Sequence, residues 1–226
     1  RSWSSFPDIV RVNDGNPIIV PCDQQSGFKL SAGALEAAIT PRTRWVILNS
    51  PSNPSGAVYT EHELLALADV LRRHPHVLVL LDEIYDQIRF IPPGRHWLTL
   101  APDLRGRSLI LNGASKTYAM TGWRIGWGIA PAELVQAMTA IQSQVSSGAN
   151  SIGQAAAAAA LLANDRVFVE QARDAYARRA ASTVAAINRI PGLHLLPPDG
   201  AFFAYIHCGG LIGQVRPDGQ VLATDS

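Results

Sequence analysis

Three short polar segments, each directly after an apolar run, hold the residue types that could do chemistry. Residues 111–126 contain Lys116 and Arg124 as their only basic residues and no acidic residue to pair with either. Of the 19 basic residues in the chain, only Lys29 and Lys116 are lysine. An amine can lose its proton near neutral pH and condense with an aldehyde, which a guanidinium cannot do. The planar fork of Arg124 suits a phosphate instead. A second apolar run ends on Asp82, followed closely by Tyr85. Burying a carboxylate is costly unless a cation accompanies it. A protonated pyridine nitrogen would be such a partner, each group favouring the charged form of the other. Asp82 reads equally as the cap of a following helix. In residues 49–56, Pro51, Pro54 and Gly56 fix a compact loop that presents the Asn53 amide, which reads equally as a turn residue bonding its own backbone. Lys with Arg, Asp with Tyr, and Asn, at the ends of three consecutive strands, make the chemical reading the stronger one.

The elements that must bring these segments together are set by periodicity. The pattern predicts strands at 17–20, 44–48, 77–81, 108–111 and 124–129, with 77–81 apolar enough for burial on both faces. It predicts helices at 31–39, with Ser31 as N-cap, and at 60–73, with Thr60 and Glu63 as a capping box. Further helices are expected at 131–145, 150–162 and 165–190, the Ala-rich run 155–163 packing tightly. Two late strands are expected at 193–196 and 202–206. Alternation of strand and helix predicts an α/β fold with a mostly parallel sheet flanked by helices, then part of a small α+β domain. Open parallel sheets bind ligands beyond the carboxyl ends of their strands, where the three polar segments fall.

Composition narrows the function. The chain has 226 residues, 47% hydrophobic and 16% charged, with net charge +1. That balance gives no reason to expect nucleic acid as a partner. No apolar run is long enough to span a membrane, and the opening residues have no signal-segment pattern. Cys22 and Cys208 are too few for a disulfide framework and do not sit at metal-ligand spacing. His74 and His76 flank Pro75 with no third ligand in the pattern, so they read as surface residues. A cytoplasmic setting without a metal is expected.

The motifs Ser50-Pro-Ser-Asn-Pro-Ser-Gly56, Asp82-Glu-Ile-Tyr85, Ser115-Lys116 and Gly122-Trp-Arg124-Ile-Gly126, with Asp199-Gly-Ala-Phe-Phe203 near the end, carry a resemblance that runs the whole chain. The sequence resembles the fold-type I pyridoxal 5′-phosphate (PLP) aminotransferases, class I/II, aspartate aminotransferase-like. The resemblance implies that Lys116 carries PLP as an imine and shuttles a proton at the substrate's alpha carbon. It implies that Asp82 keeps the pyridine nitrogen protonated, so that the ring is an electron sink. Asn53 and Tyr85 would hydrogen-bond the phenolic oxygen, Arg124 would bind the phosphate, and Trp3 would stack on the ring. Trp3 also fits an ordinary core tryptophan. The implied reaction is ping-pong transfer of an amino group from an L-amino acid to a 2-oxo acid. The phrasing of 41–59 and 209–213 is similar to bacterial aspartate aminotransferases, which implies aspartate and 2-oxoglutarate. A homodimer is implied for the full-length family. Residues 1–172 would be the central part of the PLP-binding large domain, and 173–226 the start of an incomplete small C-terminal domain.

The family is longer at both ends. The resemblance therefore implies that a Gly-rich phosphate-holding helix start, the arginine for the substrate's alpha-carboxylate and residues lent by a partner subunit lie outside these residues. The chain alone would then grip cofactor and substrate weakly. Gly113 stands where some members have a phosphate-touching serine, and a phosphate role for Ser115 stays open. Two alternatives use the same residues: a PLP-dependent β-lyase or synthase on the same fold, and a non-catalytic fragment or regulatory module.

Overall fold

The computed structural model describes residues 3–163, 166–216 and 218–224. Four strands form one sheet in the order β1 (Trp45–Asn49), β2 (Leu78–Asp82), β3 (Ser108–Gly113) and β4 (Gly126–Ile129). The first three run parallel, and β4 returns antiparallel to β3. Asn49 lies opposite Asp82, and Asp82 opposite Leu111, so this register leaves the carboxyl ends of the three parallel strands level.

Helix α1 (Ser5–Val12) precedes α2 (Ala32–Ala38), and α3 (Glu61–Arg73) links β1 to β2. The helix starts follow their capping chemistry. Ser31 accepts a hydrogen bond from the Ala34 amide, and Thr60 and Glu63 form a reciprocal capping box. The end of α3 is held differently. The Arg107 guanidinium donates to the carbonyls of Leu71 (2.5 Å), His74 (3.0 Å) and Val77 (2.8 Å), placing positive charge at the helix C-terminus. The short helix α4 (Trp97–Leu100) completes the layer, with the buried Trp97 indole donating to Ser108 Oγ at 2.9 Å. Leu67, Leu71, Val77 and Val79 are fully buried between these helices and the sheet.

The opposite face of the sheet is less covered than its apolar composition predicts. In β2, Val79 and Leu81 are buried whereas Leu78 and Leu80 are half-buried, so the strand alternates. Residues 17–20 form no strand. Ile18 and Ile19 are 67% and 60% exposed, because no neighbouring strand offers them a ladder. Of the two late strands, only a single antiparallel bridge between His194 and His207 forms.

After β3 come α5 (Ala114–Thr117), α6 (Ala132–Val145), α7 (Ser151–Leu162) and α8 (Arg166–Ile187). The Ala-rich run lies in α7 but is not tightly packed: only Gly153 and Ala157 are buried. Asp165, the expected start of the last helix, lies outside the described residues; α8 then runs unbroken to Ile187. Among the described residues, no helix is long and apolar enough to cross a membrane.

Candidate active site

The site is built from the level strand ends upward. Asn49, the last residue of β1, reaches across to β2 and donates from Nδ2 to the Asp82 carbonyl at 2.9 Å. Its Oδ1 accepts the Asn53 amide at 2.7 Å. One side chain thus fixes both the loop after β1 and its register with β2. This positioning role was not foreseen from sequence, although a polar residue closing an apolar strand was a usable signal. Gly56, at φ +71°, allows the loop to touch residues 198–200: a Cβ there would lie 2.5 Å from Pro198 Cβ and 2.6 Å from the Gly200 carbonyl oxygen.

Asp82 does not cap a helix. Its Oδ1 accepts the Ile84 amide at 3.1 Å across a turn. Burial raises its pKa above the usual carboxylate range; the Ile84 hydrogen bond opposes the rise and the Glu83 charge adds to it. No cation among the described residues offsets that cost. Tyr85 is buried, and its hydroxyl is pushed up to about 12, first by burial and then by the Asp82 charge. The Asn53 side chain bonds the hydroxyl and draws the value back in part.

Lys116 sits in the single turn of α5, immediately beyond β3. Close approach of two backbones places that turn: the Ala114 amide donates to the Ile125 carbonyl at 3.1 Å, and a Cβ on Gly113 would lie 2.9 Å from the same oxygen. Lys116 Nζ lies 5.8 Å from the centroid of the Phe202 ring, and Phe202 packs edge-on to Tyr85 at 5.3 Å. No carboxylate among the described residues forms an ion pair with Lys116. Phe202 therefore joins the lysine to the Asp82–Tyr85 turn. The sequence motif gives Phe202 no role, because nothing local indicates that residues 199–203 fold back onto the sheet. The fold-back rests on Phe90 N–H donating to the Asp199 carbonyl and Ala201 N–H to that of Ile88, both at 2.8 Å.

Asn53, Asp82, Tyr85 and Lys116 are thus brought to one end of the sheet. Arg124 lies at the same end but is exposed and left-handed (φ 57°, ψ 44°), and among the described residues its Nη1 donates only to the Thr121 carbonyl, at 2.9 Å. Trp3 does not join the cluster. It is 43% exposed and meets Phe6 edge-on at 5.2 Å.

The family model for aminotransferases of class I and II matches residues 1–221. The chain belongs to that family. This aminotransferase chain is 47% identical over 229 residues to the aspartate aminotransferase of Rhizobium meliloti (strain 1021), covering 99% of this chain and 55% of that protein. It is 43% identical to the aspartate/prephenate aminotransferase of Cereibacter sphaeroides, over 99% of this chain and 56% of the relative. Its fold matches the crystal structure of the R. meliloti aspartate aminotransferase with a TM-score of 0.95 at 46% identity, over 99% of this chain and 56% of that one. It also matches the Thermus thermophilus aspartate aminotransferase with maleate at a TM-score of 0.86 and 35% identity, over 91% of this chain and 53% of that one. The chain thus spans little more than half the length of these relatives.

Proposed function

We propose that this chain carries the cofactor-binding centre of an enzyme that moves an amino group from an L-amino acid, aspartate, to a 2-oxo acid, 2-oxoglutarate, with PLP held at Lys116. The observation that carries the reading is the convergence of Lys116, Asp82, Tyr85 and Asn53 beyond the level ends of three parallel strands. The residues fit PLP by their chemistry. Asp82 is a buried carboxylate with no cation beside it among the described residues, which is what a pyridinium N–H would supply. Tyr85, with its pKa pushed up to about 12, stays a phenol and would donate its proton to the ring's phenolic oxygen, alongside the Asn53 amide. Lys116 offers an amine that no carboxylate among the described residues holds.

When bound, PLP supplies an aldehyde and an electron sink for charge developing at the substrate's alpha carbon. Lys116 Nζ would hold that aldehyde, and its amine would move the proton at the substrate's alpha carbon. Asp82 would hold the proton on the pyridine nitrogen. Arg124 would hold the phosphate after turning away from the Thr121 carbonyl, and Trp3 would cover the ring face only after leaving its edge-on contact with Phe6. The aspartate and dicarboxylate assignment rests on the names of the relatives, one of which is described with maleate. A homodimer in the cytoplasm and the division near residue 172 belong to the same reading.

The test is covalent fixation. PLP is added to the chain, the adduct is reduced with borohydride, and the peptides are weighed. The expected result is a pyridoxyl mass on the Lys116 peptide, lost in Lys116→Ala. A label on Lys29, or none on either lysine, would overturn the assignment of Lys116.

A further inference from the structure

The turn after β2 presents two faces. Asp82 and Tyr85 belong to the lysine cluster, whereas Glu83 faces residues 93–97. Backbone bonds fix that division: the Glu83 amide donates to the Leu111 carbonyl, and the Glu83 carbonyl accepts the Asp86 amide, both at 2.9 Å. The Glu83 side chain is only 18% exposed, so water screens its charge poorly from Asp82 next to it.

One side chain takes up that carboxylate. His96 Nε2 lies 3.1 Å from Glu83 Oε2, while His96 Nδ1 accepts the Leu98 amide at 3.1 Å and so caps α4. A neutral imidazole has one N–H and one lone pair, and the two partners assign them: the proton sits on Nε2 and Nδ1 is bare. Helix α4 is anchored in turn by the Trp97 indole on Ser108, the first residue of β3. The imidazole therefore ties the turn after β2 to a helix that is itself fixed to β3.

The other titratable and charged groups around the ring leave Glu83 to His96. Arg95 grips Glu61 through Nε and Nη2 at 2.9 and 2.8 Å. Asp86 acts on His96, and Glu83 on Arg89, through their fields. The Tyr59 hydroxyl, pushed up to about 12 by burial, stays neutral and accepts the Leu30 amide. The Glu83 hydrogen bond raises the His96 pKa, burial opposes the rise, and the Glu83 and Asp86 charges add to it. An imidazolium would keep the Glu83 contact and give up the Leu98 cap, so both forms of the ring donate to Glu83.

We propose that His96 is a positioning residue for the cofactor-binding turn: its Nε2–H holds the Glu83 carboxylate and offsets part of its charge, so that Asp82 can keep its own negative charge for a pyridinium partner. The inference rests on the role proposed for Asp82 above. The sign of the effect follows from charge. Glu83 makes Asp82 harder to ionise, and a Glu83 without its donor does so more strongly.

The isotope-labelled chain is studied without PLP, so that a failure here and a failure of the Lys116 labelling are read separately. The Asp82 carboxyl carbon is followed by NMR as pH is varied, its signal identified by Asp82→Asn. His96→Asn keeps an oxygen that can cap α4 but is too short to reach Glu83. Glu83→Gln keeps an oxygen for His96 and removes the charge. The Asp82 midpoint should rise in His96→Asn and fall in Glu83→Gln. In the double variant, His96→Asn should add nothing to the effect of Glu83→Gln. The ring nitrogens of neutral His96 in the unaltered chain should show a protonated Nε2 and a bare Nδ1. A His96 with only a structural role would move the Asp82 midpoint equally with and without the Glu83 charge. That result, an Asp82 midpoint unmoved by Glu83→Gln, or a neutral His96 protonated on Nδ1 would each overturn the proposal, and the ring measurement needs no variant to fold.

Discussion

The sheet with α2, α3 and α4, and the three long helices that follow it, bury their surfaces very differently. Along α3, Leu67, Ala68 and Leu71 have no exposed surface. Along α6 no residue is buried, and Ile141 and Val145 are 66% and 80% exposed. Helix α7 meets the rest through Gly153 and Ala157, the latter packed with Ala114 and Ile125 beneath the lysine turn. Every strand end that presents Asn49, Asp82 or Gly113 belongs to the well-packed region. The chemistry is therefore placed by an assembly that closes its own core, while α6 and α8 add little burial to it.

The largest test of this contrast is a pair of truncations. Leu71→Ala should cost about 2–5 kcal/mol in urea unfolding, from lost transfer energy plus the cavity left behind. Ile141→Ala should stay within about 0.5 kcal/mol, since the side chain is already mostly in water. Comparable losses at both sites would break the contrast. A smaller test uses the same local chemistry in both regions. Thr60 accepts the Glu63 amide and Asn150 accepts the Gly153 amide, each capping its helix. Thr60→Ala should lower global stability by about 1 kcal/mol. Asn150→Ala should mainly speed hydrogen exchange in the first turn of α7, with less effect on the global transition.

The smallest effect concerns pH at the site. The folded state raises the Asp82 pKa above its ordinary 3.8, so it holds that proton more tightly than the unfolded chain. The resulting contribution is fully present below 3.8 and is lost as pH rises through the raised value. Asp82→Asn should flatten that decline in stability, measured by unfolding across mildly acidic pH. The exposed Asp103 works in the opposite direction. Arg72 holds its pKa down to about 2, so its contribution is present above 3.8 and fades as pH falls toward 2.

What could be read from sequence divides along the same line. The strands at β1, β2 and β3 and the Ser31 and Thr60 caps were legible because each arises from short-range pattern and local hydrogen bonding. The position of Asp82 was legible because it closes an apolar run, and that of Lys116 because it lies in the polar segment that follows one. Residues 17–20 and 202–206 have strand-like composition, but pairing depends on a partner that composition does not reveal. Phe202 was missed for the same reason: its place beside Lys116 comes from backbone bonds between residues 88–90 and 199–201. The idle geometry of Arg124 and Trp3 was also illegible, since a motif names a residue type without fixing where its side chain points.

The ion pair of Lys29 has a practical side. Its Nζ is held between both Glu63 oxygens, at 2.7 and 2.8 Å, with the side chain only 19% exposed. Apart from the terminal amine, the chain's remaining primary amine is Lys116. Attaching a fluorophore or a surface linker through amine chemistry would therefore tend to land on Lys116, the residue proposed to hold the cofactor. Conjugation through a cysteine, or through a lysine introduced on the open face of α6, would leave it untouched.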